Sequence, residues 1–197
     1  MHKTDEELMM GYRSGDTSCL EEIFGRYKKQ IFNYAFKVLT NRADAEEAVS
    51  ESFYILTGKK EAYKPDPQAK FSTWLYTITH NVCIDLIRKR KRVIFIWGVK
   101  RDKDSDCEEQ WDLPDNKDLP DQAAEQNDCA AAVKKALEKL PLEMKEALVL
   151  REYQLLSYDE IGKVLNCTLE KVKILLFRAR ERLRIELLPF MKEADNV

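Results

Sequence analysis

The chain has 197 residues, 44% of them hydrophobic and 35% charged, with a formal net charge of −2. That is room for one domain or two small ones, is charged enough for a soluble helix-rich protein, and is too balanced overall for charge alone to point to nucleic acid. Five cysteines without a C-x-x-C pair, and two histidines remote from them in sequence, argue against a zinc cluster or a disulfide framework and fit a reducing compartment.

No metal and no cofactor are therefore expected. The amino-terminal MHKTDEELMM lacks an apolar signal core, and the longest strongly apolar run, Val93 to Trp97, is far too short to span a bilayer. A cytoplasmic location is expected, with no membrane insertion.

Residues 5–39 carry apolar side chains mostly at three- and four-residue steps, broken at Ser14-Gly15-Asp16; the spacing predicts two core-packing helices. Asn41 to Asp44 starts a third, in which Ala45, Val49, Ser52, Phe53 and Leu56 face a core. Asp44, Glu47, Glu51 and Tyr54 recur on another face. Residue chemistry favours a solvated acidic face there, and a docking surface for a basic partner is the alternative. Gly58 to Lys70, with Pro65 and Pro67, is a polar loop in which helix cannot continue.

Phe71 to Arg92 reads as the next helix, with Ser72 or Thr73 as its cap and Leu75, Ile78, Val82 and Leu86 as its core stripe. A second stripe holds Trp74, Asn81, Asp85, Arg88 and Arg92, and the helix ends in five consecutive cations, Arg88 to Arg92. An aromatic, an amide and arginines on one face can stack on bases and grip phosphate. Five cations also exceed what the negative end of a helix dipole needs. The competing reading makes Trp74 a core residue and the cations a helix-end complement.

From Asp102 to Asp128 eleven residues are acidic and two basic, without hydrophobic periodicity. This predicts an acidic flexible linker, 96–128, that either shields the basic helices or serves as a solubilising spacer. It separates an N-terminal domain, 1–95, from a C-terminal one, 129–190. The expected fold class is all-α, two small helical domains.

The C-terminal unit opens with a helix from Ala130 to Leu140, stopped by Pro141, and a second from Leu142 to Tyr153. Ser157 and Glu160 then form a capping-box pattern before Ile161, Val164 and Leu165. After Asn166-Cys167, Thr168 can cap a last helix whose core stripe is Val172, Leu176, Ala179 and Leu183. Between Thr168 and Arg184 six cations face two glutamates. A short helix, a tight turn and a basic second helix suit a DNA major groove; an ordinary helical hairpin with a solvated charged face is the alternative.

Three segments, NRADAEEAVSESF, FSTWLYTITHNVCIDLIRKRKR and ALEKLPLEMKEALVLREYQLLSYDEIGKVLNCTLEKVKILLFRARERLR, together resemble the bacterial RNA polymerase sigma-70 family. The two-domain form is similar to its extracytoplasmic-function class, and the resemblance covers nearly all of the chain except the linker. It implies a non-enzymatic specificity subunit that binds core RNA polymerase, directs it to promoters and promotes DNA melting, as a monomer when free. Asp44, Glu47, Glu51 and Phe53 would dock on the β′ clamp helices, and Leu142 to Tyr153 on the β flap.

By the same resemblance Phe71, Trp74, Asn81, Asp85, Arg88, Lys89 and Arg92 would open and read the minus-ten element. Lys171, Lys173, Ile174, Phe177, Arg178 and Arg180 would read the minus-thirty-five element. An anti-sigma factor, membrane-anchored in many of the class, is a further implied partner. The recognition helix departs from the family's common TVKSRLFRAR and reads KVKILLFRAR: Lys171, Ile174 and Leu175 stand where Thr, Ser and Arg are usual. Ile174 can touch a thymine methyl but cannot hydrogen-bond. A dimeric helix-turn-helix repressor is the competing binding module, but it needs no single-strand reader. A nucleic-acid enzyme would need a catalytic cluster that the sequence does not offer.

Overall fold

The structure, a computed structural model, describes residues 3–64, 70–97 and 131–194, and all the regular structure among them is helical. Helix α1 (Asp5–Arg13) starts on a capping box in which the Thr4 hydroxyl accepts the Glu7 N–H and the Glu7 carboxylate accepts the Thr4 N–H. Gly15 takes φ 103°, open to glycine at little cost, and Asp16 caps α2 (Thr17–Leu39). That helix is the spine of the N-terminal half: Cys19, Ile23, Tyr27, Ile31, Tyr34, Ala35, Val38 and Leu39 are all buried along it. Asn41 caps α3 (Arg42–Gly58) through the Asp44 N–H. A 3₁₀ turn, Lys60–Ala62, precedes α4 (Phe71–Trp97).

The start of α4 differs from the expected local cap. The Phe71 N–H donates to the Glu6 carboxylate of α1 at 3.1 Å, while Thr73 is buried and its hydroxyl reaches Glu160 at 3.5 Å. A carboxylate brought in by tertiary packing therefore does the work that a side chain next to the helix start usually does. The expected core stripe is present, with Leu75, Ile78 and Val82 buried and Leu86 packed against the core.

The C-terminal half consists of α5 (131–138), α6 (Leu142–Glu152), α7 (Tyr158–Val164) and α8 (Leu169–Ala194). Ser157 and Glu160 form the expected capping box, and Thr168 Oγ1 accepts the Lys171 N–H at 3.3 Å. The α7–α8 turn is tight because Gly162 lies against Cys167: a Cβ there would sit 2.9 Å from the Cys167 carbonyl oxygen. Asn166, at φ 49°, supplies the left-handed step, a conformation that asparagine tolerates better than most residues.

The two halves meet. The α2 and α4 helices pack on α6 and α7, and buried residues of both halves join one apolar cluster. The seam also carries polar contacts. His80 Nδ1 lies 2.8 Å from Glu146 Oε1, and the Tyr34 hydroxyl donates to the same oxygen at 3.5 Å. Tyr76 donates to the Gln154 side-chain oxygen, and Lys70 pairs with Glu160 at 3.1 Å. The Lys37 ammonium sits 4.2 Å from the Tyr153 ring centre. Burial, helped by the Glu146 carboxylate, pushes the Tyr34 hydroxyl well above its usual range. The acidic segment and the linker expectation that rests on it lie outside the described residues.

Candidate nucleic-acid interface

Three faces of the helices carry the residues singled out by sequence. On α8 the stripe of Val172, Leu176 and Ala179 is buried, as is Leu175, so the basic side is turned outward. Ile174 and Phe177 are 50% and 68% exposed, and Lys173 and Arg178 stand exposed beside them. Lys171 and Arg180 are differently placed. Each is tied to a carboxylate of α6, Lys171 to Glu143 at 3.0 Å and Arg180 to Glu152 at 2.8 Å. In this arrangement both cations are paired across α6 and α8 while staying about half exposed.

On α4, Asn81, Asp85, Arg88, Lys89 and Arg92 are all exposed. Trp74 is half-buried: its rings lie 5.1 Å from Tyr63 and 6.0 Å from Phe71, centre to centre. Trp74 is thus packed in part against the ring cluster and exposed in part, which fits both sequence readings. Phe71 is a correction. It is fully buried, with Tyr27, Tyr63 and Trp74 around it, and belongs to the core rather than to a nucleic-acid surface. An aromatic at the first position of a basic helix gave no sequence signal to tell these roles apart. Tyr63, which completes the ring cluster from the loop side, was missed because no periodicity reaches into that loop. Its hydroxyl is buried with no hydrogen-bond partner among the described residues.

On α3, Glu47 and Glu51 are exposed and Asp44 is half-buried. Phe53 is only 7% exposed and meets Phe24 edge-on at 4.8 Å between ring centres, so it supports this face from beneath instead of presenting itself on it. The acidic residues are not simply solvated. Arg90 donates to Asp44 at 3.0 Å and Lys89 lies 3.5 Å from Glu47, so the cationic end of α4 is paired with the acidic side of α3. Arg88 pairs within its own helix, with Asp85 at 3.3 Å.

Between α4 and the helix-turn-helix is a groove of about 260 Å³ whose walls include Arg88 and His80 on one side and Lys171 and Cys167 on the other. Among the described residues no group of three or more histidine, cysteine or acidic side chains is arranged to hold a metal ion, and no helix is long and apolar enough to cross a membrane.

Two outward basic faces on an all-helical frame, one of them the second helix of a helix-turn-helix, define a DNA-binding transcription protein. Residues 23–93 match the profile of Sigma-70 region 2 and residues 130–183 that of Sigma-70, region 4. The chain is 30% identical to the extracytoplasmic-function (ECF) RNA polymerase sigma factor SigW of Bacillus subtilis, over 89% of this chain and 92% of that one. It is 29% identical to the ECF RNA polymerase sigma factor SigE of Mycolicibacterium smegmatis, over 87% of this chain and 63% of the longer relative. A solved structure of the sigma factor RpoE in complex with the anti-sigma factor NepR from Bartonella quintana shares the fold, with a TM-score of 0.66 at 22% identity over 85% of this chain and 95% of that one. The chain belongs to the sigma-70 family, and within it to the ECF sigma factors, which direct transcription initiation.

Proposed function

We propose that this sigma factor divides its work between two regions, 1–95 and 129–190. The acidic face of α3 (Asp44, Glu47, Glu51) docks on core RNA polymerase at the β′ clamp helices, and α6 contributes a contact to the β flap. The exposed face of α4 (Trp74, Asn81, Asp85, Arg88, Lys89, Arg92) meets the minus-ten element and holds it open. Lys171, Lys173, Ile174, Phe177, Arg178 and Arg180 of α8 read the minus-thirty-five element in the major groove. The protein works by binding, in the cytoplasm, and carries out no catalytic step of its own. The observation that carries this reading is the pair of outward basic faces, one in each of the two family regions.

Holding both boxes at once requires the seam to open. Elements nominally 25 base pairs apart on a duplex with a rise of about 3.4 Å per pair are separated by roughly 85 Å. Arg88 and Lys171, from the two reading helices, line one groove of about 260 Å³. The arrangement described here is therefore the one that the factor leaves on binding a promoter. A sigma factor of similar fold has been solved with an anti-sigma factor bound; an anti-sigma partner that favours the closed arrangement is part of the same proposal.

Arg178→Ala should weaken holoenzyme binding to a promoter by about five- to 150-fold when recognition depends on the upstream box, since a specific arginine–base contact is worth about 1–3 kcal/mol. Footprinting of parent and variant holoenzymes on one fragment measures it. Unchanged occupancy and unchanged promoter choice would remove α8 from the reading role.

A further inference from the structure

The acidic face of α3 and the basic end of α4 neutralise each other across a helix–helix contact. Arg90 donates to Asp44 at 3.0 Å, with both side chains partly shielded from solvent, and Lys89 lies 3.5 Å from Glu47. Two of the five consecutive cations that sequence marks as phosphate-seeking are thus held by two of the three carboxylates on the proposed docking face. Ion pairs this exposed are individually weak and exchange readily with other partners. A competing cation can take over the carboxylates without disturbing the packed core beneath them, where Ala45, Ala48, Val49 and Val82 lie buried.

We infer that Asp44 and Glu47 are shared counterions: a basic protein surface docking on α3 takes over these two carboxylates and releases Lys89 and Arg90 to DNA phosphate. The inference rests on the reading that α3 meets a basic partner and α4 meets DNA, and it adds a physical link between the two events. Linkage makes the effect reciprocal, so DNA drawing Lys89 and Arg90 away exposes the carboxylates to the partner. Free in solution, the protein keeps part of its phosphate affinity switched off; bound to its partner, it gains two cations from the middle of the basic run of α4.

The test uses the full-length protein and a labelled 30-base-pair duplex of arbitrary sequence, with affinity measured across a potassium chloride series. Each cation newly available to phosphate steepens the slope of log affinity against log salt by about 0.9. The variant D44N/E47Q should therefore bind more tightly than the parent at low salt, with a slope steeper by about two. E21Q removes an exposed carboxylate of α2 and controls for the general gain from losing negative charge; its slope should match the parent's. Adding K89A and R90A should return the D44N/E47Q slope to the parental value, while the same pair placed in the parent should change it much less.

A slope unaltered in D44N/E47Q, or an equal steepening in E21Q, overturns the inference. Circular dichroism and urea unfolding of each variant establish that it is folded. No polymerase enters these measurements, so their failure leaves the sigma-factor reading standing, and failure of that reading in a transcription assay leaves the ion-pair exchange to be judged on its own slope.

Discussion

Phe71→Ala is expected to cost about 3–5 kcal/mol of folding stability, the usual range for deleting a fully buried phenylalanine ring. The side chain has no solvent exposure, and the rings of Tyr27, Tyr63 and Trp74 lie 5.6, 5.7 and 6.0 Å away, centre to centre. Its backbone N–H is anchored to Glu6 at the first turn of α4. Removing the ring leaves a cavity where α1, α2 and the loop before α4 converge, and it loosens the start of the helix that carries Asn81 and Arg88. Against a total stability of about 5–15 kcal/mol this is a large loss, visible as a shifted urea midpoint. Parental unfolding together with a specific loss of promoter opening would instead make Phe71 a nucleic-acid contact and the ring cluster incidental.

Glu146→Ala carries the second large effect. Glu146 is 1% exposed, with His80 at 2.8 Å and the Tyr34 hydroxyl at 3.5 Å on the same oxygen. Truncation leaves the buried Tyr34 hydroxyl of α2 and the part-buried His80 imidazole of α4 without their acceptor, and each buried polar group left unsatisfied costs about 1–3 kcal/mol. The loss falls on the seam, so its signature differs from that of Phe71→Ala. The parent should unfold in one transition and Glu146→Ala in two, as the halves separate before either melts. His80→Ala should act in the same direction, and the double variant should lose less than the sum of the two single losses, because both remove one interaction. A single transition in the variant, with additive losses, would mean that the His80–Glu146 contact does not hold the halves together.

How much of this was legible in sequence follows from range. The Ser157–Glu160 capping box and the Thr168 cap are patterns four residues long, and both are present as read. The core stripes of α4 and α8 follow from helical periodicity, and so does the outward position of Ile174, Phe177 and Arg178. Contacts between distant residues were out of reach. Glu6 capping α4, Arg90 on Asp44 and Glu146 under His80 join residues 65, 46 and 66 positions apart. Such pairs are set by how helices pack, which no local pattern encodes. Residue type misled at Phe71 and Phe53, because an aromatic in a functional segment stacks on a ligand or fills a core equally well by composition. For Lys171 and Arg180 the charge was legible and the partner was not: α6 brings Glu143 and Glu152 to them. The resemblance to sigma-70 proteins survived these corrections because it rests on whole segments in order, which single side-chain placements do not disturb.

The most direct test of the account is transcription by core RNA polymerase on fragments of genomic DNA, with and without the purified protein, with 5′ ends of the transcripts mapped. The account predicts initiation at defined sites only when core and protein are both present, each site preceded by two common sequence boxes at a fixed spacing. Initiation that is no more specific with the protein than without it, at every site mapped, would contradict the account.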